Sequence, residues 1–190
     1  MTRYALLVRG INVGGKNKVV MAELRQELTE LELEKVESYI NSGNIFFTST
    51  DSKSQLIEKL ETFFAVHYPF IQSFSLMSQE DYEAEVENLP AWWKEDLARK
   101  DVLFYTEGLD VEQVIPTVES LELKDEVLHF GKLGIFWGKF SEETYCKTAY
   151  HKHLLKMPFY RNITIRNAKT FDKIGQMLKN KKETYNDIFR

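Results

Sequence analysis

A glycine-rich segment near the N-terminus carries residue types that could contact a phosphate group. Residues 10–17 read GINVGGKN and directly follow an apolar run. A P-loop requires G-x-x-x-x-G-K followed by Ser or Thr, whose hydroxyl binds magnesium. Gly10, Gly15 and Lys16 have this spacing, but Asn17 lacks the hydroxyl. The segment therefore suggests anion binding, whereas a nucleotide hydrolase of the P-loop class is disfavoured.

The apolar pattern around this segment predicts a β-α-β-β-α-β unit. Residues 4–9 have strand character, and residues 20–31 carry apolar residues at helical spacing. Strands are predicted at 35–40 and 45–48, and a helix and a fourth strand follow before residue 77. This order is that of the split β-α-β, or ferredoxin-like, unit. It also argues against a P-loop protein, in which a helix begins within the GK[ST] motif.

The ferredoxin-like order predicts that two turn-forming segments lie at one edge of the sheet. Its first two strands are parallel, and its third strand lies between them, antiparallel to both. The loop at 10–18 and the turn at 41–44, which reads NSGN, are therefore expected to be neighbours. Their lysines, amides and glycine backbone groups could bind a small anionic or polar ligand. The candidate ligand-binding residues are Arg9, Gly10, Asn12, Gly14, Gly15, Lys16, Asn17, Lys18, Asn41, Ser42, Gly43 and Asn44.

The same residues also have a purely conformational explanation. Glycine adopts positive φ without strain, and asparagine side chains bind backbone groups of their own loop. Because the connection at 10–18 is longer than such a turn needs, ligand binding and turn formation are both kept as interpretations.

The order of elements recurs in the C-terminal half. A helix is predicted over 143–156, and an extra helix over 171–180. We therefore expect the α+β fold class, with two ferredoxin-like domains in tandem, mostly antiparallel sheets and helices on one face of each. The predicted domains are residues 1–77 and 101–190, joined by a helical linker at 78–100.

The linker contains signals of its own. Ser78 is predicted to cap a short helix, with Glu80 and Asp81 in the first turn. Trp92 and Trp93 follow a proline, and we expect them to pack between the two domains.

The composition is that of an ordinary globular protein, with 43% hydrophobic and 28% charged residues. No apolar run approaches the roughly 18 residues that a membrane-spanning helix needs. The N-terminus has no signal-peptide pattern, and a single cysteine, Cys146, excludes an internal disulfide. We expect a cytoplasmic protein of bacterial type.

The charge is unevenly distributed along the chain. The net charge is −4, yet residues 1–20 carry Arg3, Arg9, Lys16 and Lys18 and no acidic residue. A basic, glycine-rich loop on an acidic protein can hold an anion locally. A sequence pI near 5.7 argues against binding to nucleic acid.

Three segments resemble a known bacterial family. ALLVRGINVGGKNKVVM, YINSGNIFF and TIRNAKTFDKIGQML are similar to motifs of the domain-of-unknown-function family 1697. The resemblance implies a pair of ferredoxin-like units but no reaction, because the family's activity is not established. Members commonly carry Trp after the Arg-Asn pair, where this chain has Ala168. Besides the loop and turn residues, the recurring positions correspond to Thr164, Arg166, Asn167 and Thr170.

Thr164, Arg166 and Asn167 form a secondary candidate site at the end of a predicted strand. Thr164 and Arg166 share one strand face. One interpretation places Arg166 in a cleft between the domains. The alternative is a surface arginine, with Thr170 capping the following helix.

The histidines and the cysteine predict no metal site and no cofactor. His151 and His153 are two residues apart, which on a helix directs their side chains to opposite sides. A reactive pair of Cys146 and His153 would need a close contact and an orienting third group, and the sequence identifies no such group.

The preferred function is binding of a small ligand, and two alternatives are kept. One is a protein-interaction scaffold without a ligand. The other is a weak RNA-binding module like an RRM, which stacks bases on aromatic residues of its first and third strands. Leu7 replaces the expected aromatic residue, and Ser42 the basic residue before Gly43. No catalytic constellation is identified, and the sequence leaves enzymatic activity open.

Overall fold

Two four-stranded antiparallel sheets form the framework of the computed structural model, which describes residues 1–179. The first sheet contains β1 (Thr2–Val8), β2 (Glu34–Tyr39), β3 (Asn44–Ser49) and β4 (Phe74–Ser78), in the order β2-β3-β1-β4. The second contains β5 (Arg99–Tyr105), β6 (Glu126–Phe130), β7 (Gly134–Lys139) and β8 (Ile163–Asn167), in the order β6-β7-β5-β8. The two halves therefore repeat one strand order, and the fold is α+β.

Six α-helices cover the sheets in the described part of the chain. They are α1 (Met21–Glu30), α2 (Lys53–His67), α3 (Gln79–Glu87), α4 (Val111–Glu119), α5 (Ala149–His153) and α6 (Ala168–Leu178). As predicted, Ser78 caps α3, accepting a hydrogen bond from the backbone N–H of Asp81. No helix within residues 1–179 is long and apolar enough to cross a membrane.

Both faces of each sheet are buried, because the sheets share a cluster between them. In β1, Leu6 and Val8 pack with α1 and α2, whereas Ala5 and Leu7 face the opposite side. That side meets α3, α6 and the inner face of the second sheet, and its cluster includes Trp93. The outer face of the second sheet packs against α4 and α5. Burial on both faces explains why β1 is almost continuously apolar instead of alternating.

The prediction of one helix over 143–156 is wrong. Only Ala149–His153 is α-helical, and single 3₁₀ turns lie at Tyr145–Lys147 and Leu154–Lys156. Thr148 separates the first turn from α5 with an extended backbone (φ −65°, ψ 149°). A residue with that ψ cannot continue a helix. The prediction missed this break because apolar spacing carries no information about the backbone angles of a single residue.

The cap of α6 also differs from the prediction. Asn167 is the N-cap, and its side chain accepts a hydrogen bond from the N–H of Thr170, which lies within the helix. The helix thus begins at Ala168, and the last residue of the helix predicted over 171–180 lies outside the described residues.

Replacing Asn167 by alanine should therefore lower the free energy of unfolding by about 1 kcal/mol, the usual contribution of a side-chain N-cap. Thr170→Val should change the free energy of unfolding less, because it leaves the capping side-chain carbonyl of Asn167 and the N–H of residue 170 in place. Urea denaturation of both variants provides the measurement. A larger loss for Thr170→Val would contradict this assignment of the cap.

Candidate functional site

The loop after β1 folds into a small hairpin of its own. Val13 and Lys16 form an isolated antiparallel bridge, and the N–H of Lys16 donates to the carbonyl of Val13 at 3.1 Å. Gly14 and Gly15 between them have φ of 58° and 73°. Two successive residues with positive φ are the requirement of a type I′ turn, which explains the Gly-Gly pair. The tip of this hairpin, including Lys16, is exposed.

The two asparagines of the loop hold it together. Asn12 Nδ2 donates to the carbonyls of Val19 (3.1 Å) and Asn41 (2.9 Å), and its Oδ1 accepts from the N–H of Val19 at 2.8 Å. Asn17 Nδ2 donates to the carbonyl of Gly10 at 2.9 Å. Both asparagines have positive φ, which this residue type tolerates. The conformational explanation therefore accounts for these two side chains.

The loop and the 41–44 turn lie side by side, as the strand order required. The Asn12–Asn41 hydrogen bond joins them directly, and the N–H of Val8 donates to the carbonyl of Gly43 at 3.0 Å. Gly43 has φ of 92°, and a Cβ at this position would lie 2.3 Å from Cγ2 of Val8. Only glycine allows β1 and the turn to approach so closely.

A groove of about 400 Å³ opens between the loop and the start of α1. Its polar lining comes from Asn12, Gly15, Lys16, Lys18 and Asn41, and its floor from residues 19–21. The N-cap of α1 is Val20, so no side chain of the described chain caps this helix end. The first N–H groups of α1 and the positive end of its dipole are therefore available to a ligand.

Arg166 reaches this edge from the C-terminal half. It is 8% exposed, and its Nη2 donates to the carbonyls of Val8 (2.7 Å), Ser42 (3.0 Å) and Gly43 (3.2 Å). Its Nε donates to Oδ1 of Asn44 at 2.6 Å. Burial lowers the pKa of Arg166 to about 10. Arg166 is thus neither a surface arginine nor exposed in an open cleft. Its hydrogen bonds hold in place the turn that supports the groove.

The other secondary candidates lie elsewhere. Thr164 is buried, and its hydroxyl is 3.2 Å from that of Ser75 in β4. Asn167 is occupied as the cap of α6. Arg9, a primary candidate, donates to the carbonyl of Tyr160 at 2.7 Å and lies over its ring, a partner that the sequence did not indicate. Of the predicted residues, it is therefore mainly the lysines and the backbone of the loop that line the groove.

A buried ionic cluster in the second sheet was missed by sequence reasoning. Lys139 is fully buried, its Nζ is 2.6 Å from Oδ2 of Asp101, and it lies over the ring of Tyr150. Glu126 accepts hydrogen bonds from the indole of Trp137 (2.8 Å) and the N–H of Ala149 (2.6 Å). Burial lowers the pKa of Lys139. These contacts connect β5, β6, β7 and α5 internally, and no sequence motif marked them.

The described residues hold no group of three or more His, Cys, Asp or Glu side chains placed to bind a metal. Cys146 is exposed and is a free thiol.

Comparison with known proteins identifies similar chains. A family model described as protein of unknown function (DUF1697) matches residues 1–136. The solved structure of the conserved bacterial protein SP0830 from Streptococcus pneumoniae is 89% identical to this chain, with a TM-score of 0.93. That match covers 94% of this chain and 99% of the other. No curated protein matches the chain significantly.

Proposed function

The chain belongs to the DUF1697 family of proteins of unknown function, and we propose that it binds a small anionic ligand in the groove between the 10–18 loop and α1. The observation that carries this proposal is the convergence of Lys16, Lys18 and the uncapped start of α1 on one groove. A helix N-terminus presents backbone N–H groups and a partial positive charge to an anion.

The electrostatic surroundings favour an anion over a cation. The first 20 residues contain no acidic side chain, and the first carboxylate along the chain is that of Glu23, in the first turn of α1. Both lysines are exposed, so salt will screen their attraction for a ligand. We therefore expect binding that weakens as ionic strength rises.

We further propose that the chain consists of two ferredoxin-like domains in tandem, residues 1–77 and 101–190, with residues 78–100 as a helical linker. The repeated β-α-β-β-α-β order and the identical strand orders of the two sheets support this division. The last part of the second domain, residues 180–190, lies outside the described residues. We propose a cytoplasmic location, which suits a lone free thiol.

An interaction scaffold is the second candidate. A groove of about 510 Å³ runs along α2 and includes Leu31, Phe63 and Val66, the last of them 71% exposed. An RRM-like mode of RNA binding is less well supported. The sheet face that would stack bases contains Leu7 and Phe46, which are fully buried between the sheets.

The anion proposal predicts a separation of binding from stability. Replacing Lys16 and Lys18 together by glutamine should weaken ligand binding about tenfold while changing the free energy of unfolding by no more than about 0.5 kcal/mol per site. The measurement is thermal unfolding with and without phosphate, sulfate, nucleotides, sugar phosphates or short RNA. Ligand at a hundredfold excess over Kd adds about 2.7 kcal/mol of stability.

The control is Lys152→Gln, which removes an exposed lysine of α5 that does not line the groove. It should leave ligand-induced stabilisation unchanged. A double variant that unfolds far earlier without ligand would identify the lysines as structural, and the proposal would lose its basis. Stabilisation by RNA alone, lost steeply with salt, would favour the nucleic-acid alternative.

A further inference from the structure

Three exposed apolar side chains surround the groove beside the 10–18 loop. Val13 is 67% exposed, Val20 is 44% exposed and Ile40 is 52% exposed. Val20 lines the groove, and the other two directly adjoin lining residues, because Val13 follows Asn12 and Ile40 precedes Asn41. The hydrogen bonds of Asn12 join the three segments that carry these apolar residues. The three side chains therefore belong to one small region of the surface, around the groove.

Ile40 has a backbone conformation that its side chain disfavours. Its φ is 49°, and a β-branched residue at positive φ is strained. Asn12 and Asn17 of the neighbouring loop have similar φ angles, but asparagine tolerates them. Ile40 also lies outside the three buried hydrophobic clusters of the described residues. Folding therefore gives no reason for an isoleucine at this position, whereas contact with an apolar part of a ligand does.

The charges that line the groove match a phosphate monoester, which carries about −1.5 to −2 charge at pH 7. Lys16 and Lys18 contribute two positive charges, and no acidic residue of the described chain lines the groove. Glu23, in the first turn of α1, is exposed outside the groove, so solvent screens its charge. A carboxylate has a single negative charge and would neutralise the two lysines less well than a phosphate monoester.

The groove has room for more than a phosphate group. At about 30 Å³ per water molecule, its volume of about 400 Å³ corresponds to roughly thirteen waters. We propose that the groove binds a phosphate monoester whose organic part is apolar. The phosphate lies at Lys16 and Lys18, and the apolar part contacts Val13, Val20 and Ile40. This inference rests on the anion binding proposed above and identifies the chemical class of the ligand.

The test is titration of the ¹⁵N-labelled full chain with inorganic phosphate, methyl phosphate and hexyl phosphate, followed by NMR. All three compounds should shift the amides of residues 12–21 saturably, and hexyl phosphate should also shift the amide of Ile40. Each methylene that is buried strengthens binding about fourfold, so burial of two of them should make hexyl phosphate bind about tenfold more tightly than methyl phosphate. Hexanoate, with its single charge, should bind more weakly than hexyl phosphate.

Ile40→Asn removes the apolar side chain and introduces a residue that tolerates positive φ. It should bind hexyl phosphate about fourfold more weakly and inorganic phosphate within about twofold of the unaltered protein. Its melting temperature should be unchanged or higher, because the backbone strain at position 40 is relieved. Val13→Ser should weaken the binding of hexyl phosphate in the same way. The control is Val66→Ser, which alters a comparably exposed valine of α2 outside the groove and should leave the binding of both compounds unchanged.

The titrations distinguish failure of this inference from failure of the anion proposal. If neither inorganic phosphate nor hexyl phosphate shifts residues 12–21 saturably, the anion proposal fails and this inference fails with it. If inorganic phosphate binds there but hexyl phosphate binds no more tightly than methyl phosphate, the anion site stands and the apolar part of the ligand is refuted. Unchanged binding of hexyl phosphate by both Ile40→Asn and Val13→Ser, or tighter binding of hexanoate than of hexyl phosphate, would overturn the inference as well.

Discussion

Replacement of Arg166 by methionine is expected to lower the free energy of unfolding by about 3–5 kcal/mol, because each buried acceptor that loses its donor costs about 1–3 kcal/mol. Methionine retains much of the apolar stem but cannot donate to the carbonyls of Val8, Ser42 and Gly43 or to Asn44. The buried Oδ1 of Asn44 and the carbonyl of Val8 would lose this donor, which is the costly outcome for a polar group, whereas the carbonyl of Gly43 keeps the N–H of Val8. At roughly 2–4 °C per kcal/mol for a chain of this size, the melting temperature should fall by about 10 °C.

Arg161→Met is the matched control, because Arg161 is exposed and lies close to Arg166 in the sequence. We expect it to change the free energy of unfolding by no more than about 0.5 kcal/mol. Denaturant unfolding of both variants gives the comparison. Equal, small effects would show that the guanidinium contacts of Arg166 are replaced by water at little cost, and its role as a tie between the halves would be refuted.

Gly43→Val should destabilise the protein by about 2–6 kcal/mol, through two separate effects. The backbone at Gly43 has φ of 92°, where a β-branched residue is strained by about 1–3 kcal/mol. In addition, its Cβ would lie 2.3 Å from Cγ2 of Val8 and 3.0 Å from the carbonyl oxygen of Val8, and such overpacking costs about 1–3 kcal/mol more.

Gly14→Val isolates the first effect. Gly14 also has positive φ (58°), but a Cβ there would meet no atom within 4 Å in the described part of the chain. This variant should therefore lose only the strain contribution. Thermal and urea unfolding of the pair measure the difference. If Gly14→Val is as damaging as Gly43→Val, close packing of the turn against β1 is not what requires glycine at position 43.

Arg166 and Gly43 act on the same turn, and the turn supports the anion groove. Asn41 accepts a hydrogen bond from Asn12, which in turn binds both backbone groups of Val19 at the entrance to α1. A continuous series of contacts thus joins the C-terminal half to the groove. Arg166→Met should consequently weaken ligand binding there, although Arg166 does not line the groove.

The order of the elements and the proximity of the 10–18 loop to the 41–44 turn could be predicted from the sequence alone. Apolar spacing and turn residues are local signals, because each pattern lies within a few consecutive residues. Such patterns predicted β1, the 41–44 turn and the Ser78 cap. The β-α-β-β order then predicts which strand ends meet. The helix predicted over 143–156 from local signals was wrong, because the extended backbone of Thr148 interrupts the helix.

The contacts of the polar side chains depend on how the two sheets dock and could not be predicted from the sequence. Arg166 binds the carbonyl of Val8, 158 positions away in the chain, because the two sheets pack face to face around α3 and α6. The same packing covers the sheet face that holds Leu7. Hydrogen bonds need donor and acceptor within about 3 Å, a distance that depends on the docking of distant strands and that no local pattern encodes.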